Sequence, residues 1–235
     1  MAVTAGVIAD GAIRVLDHGF VRLDDCMADD LSVVNAARVS FARRKDEMDD
    51  SDAGLIRFLL RESHGTPFEH NSFRFHVRAP IFVAREWFRH RVGSFNEFSM
   101  RYARATDDFY VPEPEDVRTQ VGKPGSYSFE PVAPELAEAT REELRAVYDA
   151  AYATYERLVE RGVARELARL VMPVGAYTEF YWTINARSLM NFVSLRAAET
   201  AQREIRRYAE ACERFLEAKM PVTYAAFVAA GRIAP

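Results

Sequence analysis

The spacing of apolar positions changes several times along the chain, and each change predicts an element. Residues 71–80, "NSFRFHVRAP", alternate cleanly. Phe73, Phe75 and Val77 fall on one side and Arg74, His76 and Arg78 on the other, the pattern of a half-buried strand that Pro80 ends. Residues 11–25 read as a hairpin with His18 and Gly19 at the bend. Three- and four-residue spacing predicts helices over 29–41, over 51–63 with Ser51 or Asp52 as cap, and over 81–91. Residues 112–134 break every period. Pro112, Pro114, Pro124, Pro131 and Pro134 crowd there with Gly122 and Gly125, predicting a long loop or excursion.

Beyond it, Leu144, Val147, Tyr148, Ala151, Tyr155, Leu158 and Val159 recur at three and four, so a long helix is expected, ended by Gly162. A shorter helix over 164–172 stops at Pro173. The aromatic and β-branched run 176–184 reads as a strand, and Asn185 can cap a helix over 186–199. Residues 203–219 place Ile205, Tyr208, Cys212, Phe215 and Leu216 on one helical face, and 221–230 form a last short helix. Polar clusters of similar character flank the proline-rich stretch, at 64–104 and 165–196. That favours one α+β domain over 1–235, with a small, mostly antiparallel sheet packed against several helices and an excursion at about 111–134.

Bulk properties narrow the function classes. The 235 residues are 49% hydrophobic and 28% charged, enough to bury a substantial core. A net charge of -4 argues against a general nucleic-acid binder while leaving room for a local basic pocket. Cys26 and Cys212 form no CxxC pair, so neither a zinc knuckle nor a disulfide scaffold is expected, and both read as small buried or half-buried residues. "MAVTAGVIAD" lacks a basic leader, and no apolar run approaches a bilayer's width; the expectation is a cytoplasmic protein with no membrane partner.

Candidate chemistry concentrates after the apolar run "IFVAREWF". Residues 85–104 hold Arg85, Arg89, Arg91, Arg101 and Arg104, about twice the arginine density of the whole chain. By composition alone a solvated, salt-bridged helix face is the favoured reading. Spacing adds more: Arg85 and Arg89 are one helical turn apart, as are Glu86 and His90. Guanidinium forks grip phosphate bidentately. Ser94, Asn96 and Ser99 add neutral donors, and Glu97 can accept from a ribose hydroxyl or a base N–H. A ligand with phosphate, sugar and base would use all of these.

A second cluster, "INARSLMNFVSLR", sets Arg187 and Asn191 one turn apart with Arg196 further on; the plain alternative is an amphipathic helix with surface polar residues. In "SHGTPFEH", His64, Glu69 and His70 lack metal-ligand spacing and Pro67 is expected to break helical geometry, so no metal site is expected. There is no GxGxxG, P-loop or GxSxG, and neither cysteine has an activating neighbour in sequence.

At "RHRVGSFNEFSMR", residues 89–101, the chain resembles the flavin-dependent thymidylate synthases. Their signature R-H-R-x-x-S-x-N-E-x-S-x-R is met at Arg89, His90, Arg91, Ser94, Asn96, Glu97, Ser99 and Arg101. "RVSF" (38–41), "HGTPFEH" (64–70), "APIFVAREWFRHR", "FYWTINARSLMNF" and the "LR" at 195–196 resemble further family segments in the same order, covering about 15–225. The resemblance implies conversion of dUMP to dTMP with methylenetetrahydrofolate as carbon donor and NADPH-reduced FAD as hydride source. It also implies a homotetramer whose active sites cross subunit interfaces, so that polar clusters need not meet within one chain.

By matching position, Arg89, His90 and Arg91 resemble flavin contacts, Arg89 being shared with dUMP. Glu86, Trp87 and Phe88 resemble one dUMP-binding stretch, and Glu97, Phe98, Ser99, Met100 and Arg101 another, with Glu97 also counted beside the cofactor. Arg169 resembles a further dUMP contact. Thr66, Asn185, Arg187 and Asn191 resemble FAD contacts, with Ser40, His64 and Glu69 as neighbours. Arg196 resembles the residue that helps ionise uracil N3, making C5 more nucleophilic. Glu86 departs from the family's frequent glutamine and, as a carboxylate, cannot donate a hydrogen bond. Ser99 lacks a neighbouring base and is assigned to binding. Two alternatives remain at this point: a non-catalytic nucleotide- and flavin-binding module, and a local RNA-binding patch, which the net charge disfavours.

Overall fold

In the computed structural model, the alternating stretches become the sheet and the three-four stretches the helices. Residues 11–123 and 126–235 are described; "MAVTAGVIAD" and, within the proline-rich stretch, Pro124 and Gly125 lie outside them. The elements run β1 (Ile13–Val15), β2 (Gly19–Met27), α1 (Asp30–Arg38), a 3-10 turn (Val39–Phe41), α2 (Asp50–Arg61), α3 (Thr66–Glu69), β3 (Ser72–Pro80), α4 (Ile81–Trp87) and β4 (Ser94–Glu97). After a 3-10 turn (Pro114–Asp116) come β5 (Arg118–Lys123), β6 (Ser126–Pro131), α5 (Pro134–Glu160) and α6 (Arg165–Ala168). A last 3-10 turn (Arg169–Val171) leads to β7 (Tyr177–Asn185), α7 (Ala186–Arg196), α8 (Arg203–Lys219) and α9 (Pro221–Ala229). This is the expected α+β class, with a small antiparallel sheet among helices.

The described residues fall into two compact units. One holds the chain up to Ala79 together with Val83–Glu97 and Thr178–Pro235; the other holds Pro80–Phe82 and Phe98–Tyr177.

The first unit is built on the five-stranded sheet, in the order β1-β2-β3-β7-β4. The β2–β3 register opposes Val21 to Val77 and Leu23 to Phe75; β4 pairs antiparallel with β7, Phe95 facing Trp182. Inward residues of β3 and β7 are fully buried: Phe73, Phe75, Phe180 and Trp182. Trp87, at the end of α4, stacks on Phe192 at 4.8 Å and meets Trp182 edge-on at 5.2 Å. Truncating one of these rings to alanine would cost about 3–5 kcal/mol, because the core cannot collapse into so large a void. Gly19 is required where the hairpin enters this core: Tyr208 donates to the Arg78 carbonyl at 2.9 Å, and its hydroxyl fills the space a Cβ would need.

The second unit is organised by α5. Tyr155 is fully buried and its hydroxyl accepts from the Ala105 amide at 3.1 Å. Phe109 stacks on Tyr148 at 4.8 Å, and Tyr148 lies over Gly175. Val147, placed by spacing on the apolar face of this helix, is instead 59% exposed.

Four local expectations are corrected. The cap of α2 is Asp49, not Ser51 or Asp52: its backbone is extended and its carboxylate accepts from Ser51 N, while Asp52 at the third helical position accepts from Asp49 N. Pro67 does not break helical geometry, because it occupies the first turn of α3, where a missing N–H costs nothing. The helix expected over 81–91 ends at Trp87. Arg89 N and His90 N turn back to the Glu86 and Trp87 carbonyls, so residues 89–91 form a turn, and β4 follows where no strand was expected. The proline-rich excursion contains the β5–β6 hairpin, and Pro131 stands at the end of β6.

Candidate active site

A cavity of about 780 Å³ opens in the first unit between the end of α4 and the outer face of α7. From α4 and the turn after it come Arg85, Glu86, Arg89, His90 and Arg91; from α7 come Ser188, Asn191 and Arg196. The elements explain the convergence. Arg85 projects from α4 and Arg89 from the turn just after it, while Trp87 between them is fully buried in the core. Asn191 and Arg196 share a helix whose opposite face, Leu189, Phe192 and Val193, is fully buried. The lining therefore carries four guanidinium groups against one carboxylate, a strongly electropositive pocket.

Arg196 is held at two points. Its Nε donates to His90 Nε2 at 2.9 Å, and Nη1 lies 3.5 Å from Glu86 Oε2. Burial and this neighbouring guanidinium push the His90 pKa down to about 4, so the imidazole is neutral near pH 7. Its ring also meets Phe192 edge-on at 4.9 Å. Gly93 lets the turn pass close over β7: a Cβ there would lie 2.9 Å from the Thr183 carbonyl and 3.0 Å from Trp182 Nε1.

Other expected residues of this unit do not line the cavity. Trp87 has no exposed surface and its side chain belongs to the core; Phe88 packs edge-on against Phe95 and Phe180. Asn185 caps α7 by accepting from Ser188 N at 2.8 Å. Arg187 forms a separate group: Nη1 pairs with Glu69 Oε1 at 2.5 Å, Nε donates to the Pro235 carbonyl at 2.8 Å, and the side chain passes where a Cβ on Gly65 would stand. Thr66 is exposed at the start of α3, and His64 meets Phe58 edge-on at 5.7 Å. Ser40 is exposed in the 3-10 turn after α1. Glu97 Oε1 accepts from Thr178 at 2.8 Å.

The signature crosses into the second unit at Phe98. There Ser99 Oγ accepts from Arg101 N at 3.3 Å, making a local turn. Arg101 Nε lies 3.4 Å from Glu166, and its guanidinium sits over the Tyr102 ring at 5.4 Å. Arg165 Nη1 donates to the Tyr102 carbonyl at 2.6 Å, and Arg169 Nε to the Glu166 carbonyl at 3.4 Å. Ser99, Arg101 and Arg169 thus belong to one neighbourhood, joined by α6. Met100 packs instead against the Ala105–Tyr155–Ala168 core.

Sequence reasoning missed Ser188, Val92 and Leu195 on the cavity wall, and gave Arg165 no role. Arg85 had a signal, its one-turn spacing to Arg89. Val92 and Leu195 had none: they are exposed apolar residues, 67% and 55%, whose position only the fold reveals.

The family model described as "Thymidylate synthase complementing protein" matches residues 22–222. A flavin-dependent thymidylate synthase of Thermosipho africanus (strain TCF52B) is 46% identical over 92% of this chain and 93% of its own. One from Thermotoga neapolitana is 48% identical over 92% of this chain and 94% of its own. Among solved structures, the UMP/dUMP methylase PolB from Streptomyces cacaoi, bound with 5-Br dUMP, superposes with a TM-score of 0.87 at 45% identity, covering 95% of this chain and all of that one. These matches place the chain in the thymidylate synthase complementing protein family, among relatives that are flavin-dependent thymidylate synthases.

Proposed function

We propose that this chain is a flavin-dependent thymidylate synthase, converting dUMP to dTMP with a carbon from methylenetetrahydrofolate. The observation that carries this reading is Arg196, held by His90 and Glu86 at the wall of a cavity that three further arginines line.

The donor set fits FAD. A diphosphate needs fixed cations, and a planar ring with polar edges needs neutral donors and acceptors; Arg85, Arg89 and Arg91 supply the first, Ser188 and Asn191 the second. Arg89, His90, Arg91 and Asn191 would hold the cofactor from this cavity, and Thr66, Glu69, Asn185 and Arg187, with Ser40 and His64 beside them, from elsewhere on the first unit. Bound FAD supplies the reducing equivalents, drawn from NADPH. What the chain must do is bind, orient and stabilise charge. Arg196 would stabilise negative charge on the uracil ring, raising nucleophilicity at C5. Ser99, Arg101 and Arg169 would bind the nucleotide, the guanidiniums taking its phosphate. Ser99 has no histidine or lysine partner in the structure to activate it as a nucleophile.

We further propose that residues 1–235 serve as one functional domain, since the family match runs through segments of both units. A homotetramer fits Val92 and Leu195, apolar and exposed at the cavity, and Leu170, 78% exposed beside Arg169. A cytoplasmic setting, with folate and NADPH to hand, completes the reading. Among the described residues no helix is long and apolar enough to cross a membrane.

The test is direct. Purified protein should carry or take up FAD, with flavin absorbance, and should form dTMP from dUMP only when NADPH and methylenetetrahydrofolate are both present. A colourless protein that takes up no added FAD sinks the proposal. Binding of dUMP without NADPH oxidation would mark a non-catalytic module instead.

A further inference from the structure

Arg196 is gripped in a way its expected role does not by itself require. Glu86 and His90 lie four residues apart across the end of α4, and between them they engage two of the three guanidinium nitrogens. Nε2 of His90 accepts, so the imidazole carries its proton on Nδ1 and is uncharged. An imidazolium there would offer no acceptor and would face like charge; the depressed pKa of His90 agrees with this arrangement. Glu86 is the only carboxylate on a lining that also holds Arg85, Arg89 and Arg91, while Ser188 and Asn191 from α7 are neutral.

Resting on the functional reading above, we propose that Glu86 and His90 are positioning residues for Arg196: His90 fixes the plane of the guanidinium, and Glu86 offsets part of its charge, so that the pair sets how readily the uracil ring of the bound nucleotide ionises at N3. A glutamine at position 86 would hold Arg196 without offsetting its charge. The carboxylate of this chain repels a developing anion on the base, and it relieves the mutual repulsion of four guanidiniums before the nucleotide enters. Glu86 thus exchanges some stabilisation of the anion for a better-balanced empty pocket.

The probe is 5-bromo-dUMP bound to the FAD-loaded enzyme, because its N3 ionises more easily than that of uracil and the anion absorbs at longer wavelength. Glu86→Gln should raise the ratio of ionised to neutral bound probe at fixed pH by roughly three- to tenfold. His90→Ala should lower it, whereas His90→Gln, whose amide oxygen still accepts from Nε, should restore it to within about threefold. Flavin content and the KM for dUMP, read alongside, should move less than kcat. A ligand-free readout stands beside these: the ¹⁵N spectrum of the imidazoles should show His90 protonated on Nδ1, and Arg196→Ala should return its titration toward the ordinary histidine range. An unchanged ionisation ratio in Glu86→Gln, or a His90 proton on Nε2, overturns the proposal. A wild-type protein that neither binds the probe nor makes dTMP overturns the functional reading and the base-ionisation role with it, while the ¹⁵N spectrum still decides whether His90 holds Arg196.

Discussion

The two arginine-rich neighbourhoods differ in how firmly they are held. In the first unit, Arg196 is only 25% exposed, two of its nitrogens are engaged, and beneath it Phe192 and Trp87 are fully buried. In the second, Arg101 and its partner Glu166 are each about half exposed, at 3.4 Å, and Arg169 donates to the Glu166 backbone carbonyl at 3.4 Å. Exposed pairs of this kind contribute little and exchange partners easily. A guanidinium fixed before the ligand arrives suits stabilising charge that develops during reaction, since no reorganisation is needed at that moment. One that swaps a weak carboxylate for a phosphate suits capture. The difference suggests a division of labour: the first unit's arginine governs turnover, the second unit's arginines govern affinity.

The sharpest test of that division is Arg196→Ala. Loss of a pre-set charge stabiliser should lower kcat by about 10²–10³-fold, with FAD retained, because the flavin has other partners. Steady-state kinetics with flavin absorbance after gel filtration checks both halves. A variant whose KM rises while kcat holds would erase the contrast.

Arg101→Ala and Arg169→Ala probe the other side. If these residues bind the nucleotide as proposed, each variant would remove a charged hydrogen bond worth about 1.5–3 kcal/mol. The KM for dUMP should therefore rise by roughly ten- to a hundredfold while kcat at saturation changes little. A fall in kcat equal to that for Arg196→Ala would show that both neighbourhoods serve the chemical step.

How much of this was legible in the sequence follows from the range of the forces involved. Alternation in 71–80 gave β3 because one face of that strand meets the core and the other does not. Asn185 gave the start of α7, since capping is local. The β5–β6 hairpin was hidden because every residue of its strands but the half-buried Arg118 faces solvent, so no alternating burial pattern marks it. β4 was hidden because its pairing with β7 is long-range, and because Phe88 to Arg91 continue the helical pattern after the helix has stopped. At the site, residue types showed which groups bind anions, but not which are free to do so. The fold packs the Trp87 side chain into the core and uses the Asn185 side chain to cap α7, and neither use is visible from residue type alone. The grip of His90 and Glu86 on Arg196 joins residues 106 and 110 positions apart, beyond any local spacing.

Gly93→Ala tests whether the firmness of the first neighbourhood depends on the turn that carries it. The added Cβ would lie 2.9 Å from the Thr183 carbonyl, which cannot move without disturbing the β4–β7 pairing. A loss of about 1–3 kcal/mol is expected by denaturant unfolding. The turn displaced with it should also loosen the hold on Arg196, so kcat should fall more than the KM for dUMP rises. Full stability in this variant would mean that the turn gives way freely, and the contrast in rigidity would not survive.

The smallest expected effect lies in the acid dependence of stability. The folded pKa of His90 is about 4, below the 6.5 of an ordinary histidine, so the unfolded chain binds the proton more readily. Stability should therefore fall as pH drops from about 6.5 toward 4, and lose nothing further from this group below that. The carboxylates that salt bridges hold low, Asp49, Asp52 and Glu138, lose their contribution only as pH falls through their own lower range, which leaves the upper part of the window to His90. Solvent around the partly exposed ring reduces the worth of the shift to about 1–2 kcal/mol. Urea midpoints measured between pH 6.5 and about 4.5 should fall less steeply in His90→Gln, which cannot take up the proton. Parallel curves for the two proteins would mean that the imidazole titrates alike folded and unfolded, and that Arg196 is no more firmly held than Arg101.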